Sequence, residues 1–217
     1  MSGMQIVNGL SGLLIVTSLL VVVSHKPATS AKFYALQSLV LVGVFVALAA
    51  TIDSPQLYAW AAVAFVTKVV AVPLIMIRAF GKLSDERLGS GERISPALTV
   101  GLAAGVVLLC TLIISHVALP TAIAIKPALA ISLAHFFFGL ACIVTQRNIL
   151  KQVFGYCLME NGSHLTLALL AGSAPELVEV GITTDAVFAV VIMVILATQI
   201  NRKMSTLDAD QLTTLKG

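Results

Sequence analysis

Seven stretches of the chain run apolar for about 20 residues, and the polar residues gather in the short gaps between them. An apolar run of about 20 residues is long enough to cross a hydrocarbon core of roughly 30 Å as a helix, with every backbone group bonded inside the segment. The pattern predicts helices over 4–23, 31–51, 57–80, 96–118, 126–144, 150–171 and 176–200. It leaves one long solvated loop, GKLSDERLGSGERIS, and a polar tail, NRKMSTLDADQLTTLKG. The expected fold class is all-α: a polytopic transmembrane helical bundle of seven spans.

Composition agrees with a membrane solvent. Hydrophobic residues make up 59% of the 217 and charged residues 11%, with a mean hydropathy of +1.03. A soluble domain of this length could not hide that much apolar surface. The net charge of +3 does not point to nucleic acid, because the basic residues sit in small groups at the membrane edges. Eleven of the 13 lysines and arginines follow the first, third, fifth or seventh helix; Lys126 stands on the opposite side and Lys68 inside the third helix. The positive-inside rule then puts the N-terminus outside and the C-terminus in the cytoplasm, which demands an odd number of spans. No basic residue precedes the first helix, so it lacks the n-region of a secretory signal and is expected to be retained.

Polar residues at bilayer depth carry the candidate chemistry. An acidic side chain at a helix centre costs on the order of 2.5–3.5 kcal/mol, so it usually faces a protein interior or a wet path. Glu160 meets that description in the sixth helix, with Asn161 beside it and His164 one turn on, on the same face as Cys157. Glu160 and His164 read as a protonatable pair on a lateral hydrated path, or as packing glue between helices. Lys68 lies near the middle of the third helix, one turn before Pro73, and suits either a proton path or an ion pair with Glu160 or Asp185. Asp185 in the seventh helix follows Thr183 and Thr184, two hydroxyls able to hold a carboxyl group. His135 lies near the centre of the fifth helix, beside a run of three phenylalanines that suggests a packed face. Glu176 and Glu179 fall at the outer edge of the last helix, as boundary residues or an exit mouth.

Other chemistries find no support. Cys110, Cys142 and Cys157 each sit inside an apolar run with no Cys-x-x-Cys and no Cys/His cluster, so a zinc or iron–sulfur site is not expected and no cofactor is assigned. No P-loop, dinucleotide fingerprint or nucleophile elbow is present, which argues against a stand-alone enzyme. The Gly-x-x-x-Gly at Gly101 and Gly105 is a weak signal for close helix approach. A faint echo at an offset near 120 residues pairs FYALQSLVLVGVFVALA with FGYCLMENGSHLTLALL, and SPQLYAW with APELVEV. It suggests a parallel repeat: an N-terminal three-helix half over 1–95, a connecting helix over 96–120, a C-terminal half over 121–200 and a cytoplasmic tail over 201–217.

The spacing RN-x6-G-x5-NG, formed by Arg147, Asn148, Gly155, Asn161 and Gly162, gives the chain a family character. With VTKVVAVPLIM at 66–76, QRNILKQVFGYCLMENGSHL at 146–165, APELVEVGITTDAVFAV at 174–190 and the ending LKG, the whole chain resembles the hydrogenase-4 component E family. These are membrane subunits of group 4 nickel–iron hydrogenase and formate hydrogenlyase complexes. The fifth to seventh helices are more distantly similar to the K subunit of complex I and the C subunit of multisubunit cation/proton antiporters. The resemblance implies a non-redox subunit of a membrane arm in the bacterial inner (cytoplasmic) membrane. Its partners would be antiporter-like membrane subunits and a quinone-oxidoreductase-H-like membrane subunit. A cytoplasmic nickel–iron hydrogenase and iron–sulfur subunits would hold the nickel–iron centre and the clusters.

One departure concerns the carboxylate. The complex I relative has a glutamate two residues after the Gly of its RN-x6-G motif, where this chain has Cys157; Glu160, one turn further on, is the shifted candidate. Asp185 matches the relative's second acidic position, within about a turn. The resemblance implies a share in a proton-coupling path; a structural scaffold and, less favoured, a stand-alone secondary transporter are the alternatives, and proton and sodium both stay open.

Overall fold

The computed structural model describes residues 2–81, 95–118, 123–172 and 176–214. They form seven long helices: α1 (Gly3–Val23), α2 (Pro27–Ile52), α3 (Pro55–Phe80), α4 (Pro96–His116), α5 (Lys126–Thr145), α6 (Ile149–Leu170) and α7 (Glu176–Met204). Short 3-10 turns cover Ile123–Ile125 and Ala209–Thr214, and no strand occurs among the described residues. Six of the seven helices are long and apolar enough to cross a membrane by length and composition. The exception, α6, has 22 residues but carries Lys151, Glu160 and His164 among them. The polar loop with Arg87 and Arg93, and the ending LKG, lie outside the described residues.

Local chemistry sets the helix ends. Ser2 and Gln5 form a reciprocal capping box at the start of α1. Pro27, Pro55 and Pro96 occupy the first turns of α2, α3 and α4, where the missing N–H is no loss. That is why α2 starts a turn earlier, and α3 two residues earlier, than hydropathy alone places them. Asn148 caps α6 by accepting from the backbone N–H of Leu150 at 2.8 Å. At the other extreme, α7 continues a turn past the predicted 200, so that Arg202 and Lys203 fall in its last turn, where cations favour the helix dipole.

Inside α3 the register changes. Residues Phe65–Ala71 form a π-helical segment, in which the Val72 N–H reaches back to the Thr67 carbonyl. Pro73 follows directly. A proline ring clashes with the carbonyl four residues earlier and brings no N–H, and a wider turn just before it relieves both demands. Lys68 sits in that wide turn.

The helices pack as two intimate antiparallel pairs, α1 with α2 and α5 with α6, onto which α3, α4 and α7 are laid. The α5–α6 contact is backbone on backbone. A Cβ at Gly139 would lie 2.3 Å from the Met159 nitrogen, and one at Gly162 would lie 2.4 Å from the Phe136 nitrogen. At Gly155 the approach is less tight, a Cβ there lying 2.9 Å from the Ile143 nitrogen and 3.0 Å from the Gly139 carbonyl oxygen. Two glycines of the RN-x6-G-x5-NG spacing therefore have a steric reason to be glycine. Gly101 and Gly105 do not: both face open space, and no helix closes on them.

Two apolar strata result. One gathers Val21, Tyr34, Met76, Phe80, Phe154 and Leu207 near the end of the bundle where α1 finishes and α6 begins. The other gathers Val7, Phe45, Leu48, Trp60, Leu129 and Leu165 toward the opposite end. Outward faces remain apolar, with Val66, Leu108, Val144 and Phe188 all exposed, as suits contact with hydrocarbon. Between the strata, in five helices at once, polar residues are buried.

Candidate functional site: a buried charge pair between two apolar strata

That layer consists of Ser18 on α1, Gln37 and Ser38 on α2, Lys68 on α3, His135 on α5, and Glu160 with Asn161 on α6. All but Glu160 are buried. Lys68 Nζ donates to Glu160 Oε1 at 2.6 Å, to Glu160 Oε2 at 2.5 Å and to Asn161 Oδ1 at 2.9 Å. Three acceptors meet the three donors of an ammonium group, so the cation is fully satisfied without water. The side chain of Lys68 is 2% exposed and that of Glu160 12%. The carboxylate is thus the member of the pair that has an opening to the outside.

From the pair a directional chain of hydrogen bonds crosses the bundle. Asn161 Nδ2 donates to Gln37 Oε1 at 2.8 Å, and Gln37 Nε2 donates to His135 Nε2 at 3.1 Å. The accepting Nε2 fixes His135 as the neutral tautomer protonated on Nδ1, and Nδ1 donates to Ser18 Oγ at 3.0 Å. Ser18 closes the chain by donating to the Leu14 carbonyl at 2.5 Å. Tyr34 is buried beside it, close to Ser38 and Asn161. Every bond runs in one sense, away from Lys68.

The five expected residues separate into three groups. Lys68 and Glu160 form the ion pair that was one of the two readings of Lys68, and His135 is joined to them through Asn161 and Gln37. His164 is buried one turn from Glu160, but its ring packs among aromatics, 4.8 Å from the Phe45 centroid and 5.6 Å from that of Trp60. The carboxylate is taken by Lys68. Asp185 stands apart: it is exposed on α7, with half-buried Tyr156 of α6 within electrostatic reach of both Asp185 and Glu160. The side chains of Glu176 and Glu179 lie outside the described residues.

Sequence reasoning missed Gln37 and Ser18. Gln37 did carry a signal, a carboxamide in the middle of an apolar run, the same rule that singles out Glu160. Ser18 carried none, because a helical serine can bond its own preceding turn. Lys151 was missed differently, as one more basic residue at a loop. It is buried, and Nζ donates to the Val22 carbonyl at 3.0 Å, to Ser30 Oγ at 3.1 Å and to the Ser24 carbonyl. An ammonium group thereby closes the carbonyl end of α1, where a cation is favoured by the helix dipole. The neighbouring Arg147–Asn148 turn is pinned by the tail: the Ile149 N–H bonds the Leu207 carbonyl at 3.0 Å and the Ala209 N–H the Arg147 carbonyl at 2.8 Å. Arg147 Nε lies 2.8 Å from Asp210 Oδ2, a pair open enough to solvent to contribute at most about 1 kcal/mol.

Among the described residues, no group of three or more His, Cys, Asp or Glu side chains is placed to hold a metal ion. Residues 127–217 match the family model for NADH-ubiquinone/plastoquinone oxidoreductase chain 4L. Over 217 residues, covering 100% of both chains, the sequence is 54% identical to hydrogenase-4 component E of Escherichia coli (strain K12) and of Shigella flexneri. An uncharacterized protein of Mycobacterium tuberculosis is 23% identical over 154 residues, which cover 69% of this chain and 68% of that one. No solved structure matches. With identity of that level along the entire sequence, the chain belongs to the hydrogenase-4 component E family.

Proposed function

We propose that this protein is a non-redox, accessory membrane-arm subunit of an ion-translocating nickel–iron hydrogenase complex of the formate hydrogenlyase type, with Lys68 and Glu160 as its protonatable coupling element. The observation that carries the reading is the ion pair itself: a lysine and a glutamate closed against one another in the middle of a membrane bundle, with an opening only at the carboxylate. Charges at that depth are expensive, and packing alone is served as well by apolar residues. The chemistry of hydrogen and of the electron donor belongs to partner subunits. Antiporter-like membrane subunits and a quinone-oxidoreductase-H-like subunit flank this chain in the bacterial inner membrane, with the nickel–iron and iron–sulfur subunits on the cytoplasmic face. Its N-terminus lies outside and its C-terminus inside.

In this reading Glu160 exchanges a proton with the hydrated side of the pair. Protonated, it no longer neutralises Lys68, and the cation is left with Asn161 as its neutral acceptor. The released positive charge is the signal passed to neighbours, and deprotonation restores the pair. His135, at the far end of the amide chain, holds Asn161 and Gln37 in the orientation that presents an oxygen to Lys68. Asp185 is the second acidic position, reached past Tyr156.

Replacing Glu160 by Gln tests the assignment. Inverted membrane vesicles carrying the E160Q complex are expected to evolve hydrogen at half the native rate or better while building no ion gradient, and undiminished pumping would overturn the role of Glu160. The complete satisfaction of Lys68 also favours a second reading, in which the polar layer is interhelical glue. Under it, E160Q lowers the amount of assembled complex and leaves the ion-to-hydrogen ratio of what remains unchanged.

A further inference from the structure

The exposed face of α7 combines two features that do not suit lipid. One is Asp185, the tenth residue of the 29-residue α7 and within electrostatic reach of Tyr156, which lies about a turn from the centre of α6. The other is a groove of about 260 Å³ between α3 and α7, walled by Val63 and Thr67 on one side and by Val180, Thr183, Val187 and Phe188 on the other. Around them the exposed residues recur at helical spacing, through Gly181, Thr184, Asp185, Phe188, Ile192 and Gln199. A carboxyl group opening onto hydrocarbon costs on the order of 2.5–3.5 kcal/mol, and among the described residues no basic side chain hydrogen-bonds or ion-pairs with it.

We infer that this face is a protein–protein interface, and that its occupant is a membrane helix of a different subunit bearing a lysine or arginine at the depth of Asp185. Charge complementarity selects the occupant. Lipid tails offer Asp185 no partner. A second copy of this chain offers none either: Lys68 is its single lysine or arginine within a span away from the ends, and that group is buried against Glu160. The docked helix sets an apolar side chain into the α3–α7 groove, whose wall includes Thr67 from the same π turn that holds Lys68. Charges then alternate along one line, from Lys68 to Glu160, past Tyr156, to Asp185 and on to the neighbour's cation. The inference rests on membership of a membrane arm, and it names the surface and chemistry by which this chain joins it.

A photo-crosslinking amino acid at Phe188, irradiated in intact membranes of cells expressing the whole complex, reads the occupant directly, and the same label at Leu112 of α4 serves as the comparison. The expected product joins Phe188 to a transmembrane segment of another subunit with a lysine or arginine within about one turn of the attachment point. D185K is then expected to lower recovery of that subunit at least tenfold in mild detergent, and a second change of its basic residue to Asp to restore it. D185N, which folds as an isosteric control, is expected to show an intermediate loss. Adducts with lipid alone, with a second copy, or with a segment lacking a cation would overturn the inference, as would full recovery in D185K. If the hydrogenase subunits co-purify but Phe188 crosslinks only to lipid, this face is wrong and the subunit reading stands. If nothing co-purifies with the native chain, the subunit reading itself fails.

Discussion

Asn161 and Gln37 stand between the Lys68–Glu160 pair and His135, and a carboxamide passes a proton onward only through a high-energy imidic acid form. The chain of hydrogen bonds is therefore suited to transmit orientation and polarisation, and under the proposed function proton exchange would belong to the pair at its head. The same geometry explains why that pair is costly to break and cheap to replace. Taking away one member leaves an uncompensated charge in a dry layer, typically a loss of about 3–5 kcal/mol, whereas an apolar pair of similar volume is often neutral. K68M is expected to lower the thermal midpoint in detergent sharply and to reduce the amount of protein in the membrane. The double variant K68M/E160L is expected to recover at least half of that loss while remaining inactive in coupling. Tracking detergent-phase unfolding of the four proteins of this cycle settles the matter; a double variant as unstable as K68M would mean that Lys68 is held by the rest of the layer and not by Glu160.

At the scale of helices, most of the architecture was legible because hydrocarbon imposes it. Seven apolar runs gave seven helices, and proline and asparagine marked starts that hydropathy blurs. Two things were not legible. The π turn around Lys68 depends on how one proline is accommodated against a particular neighbour, and Lys68 followed by Pro73 was only a hint of it. The glycines were ambiguous for a related reason: Gly101 and Gly105 have the familiar spacing but no helix opposite them, whereas Gly139, Gly155 and Gly162 are spread over two helices and are seen as one contact only when α5 and α6 meet. This contrast is testable. A methyl at Gly162 would need the α5 backbone to move, so G162A is expected to cost about 1–3 kcal/mol as an overpacked contact. G105A meets nothing, and the helix-propensity gain of up to about 1 kcal/mol makes it neutral or slightly stabilising. Thermal melts of the two variants side by side would separate steric need from sequence spacing, and equal melts would contradict the tight α5–α6 contact.

For the whole molecule, the polar layer matters because of what surrounds it. Ser18, Gln37, Lys68, His135 and Asn161 come from five helices, and each lies between an apolar stratum on one side and an apolar stratum on the other. A charge in that layer has no wet route along the bundle axis, so under the proposed function its exchange would be lateral, through the opening at Glu160. The two ends of the molecule are unlike. One carries Arg78, Arg147, buried Lys151, Arg202 and Lys203; the other is tied by neutral contacts, Asn8 to the start of α5 and Ser54 to the Gly172 carbonyl at 2.7 Å. By the positive-inside rule, such an asymmetry would place that end in the cytoplasm, the orientation proposed above. Seven antiparallel crossings would also put the two termini on opposite sides. With Cys110, Cys142 and Cys157 all buried, single cysteines at the ends can be read against a quiet background. A membrane-impermeant thiol reagent added to intact spheroplasts is expected to label S2C and to spare Q211C, and inverted vesicles are expected to give the reverse. Labelling of both positions from one side would require an even number of crossings, with α6, the least apolar helix, failing to span. Labelling in the reversed sense would keep the seven crossings and place the basic end outside, which would contradict the proposed orientation and with it a hydrogenase arm docked on the face where Arg147, Lys151 and the folded tail meet.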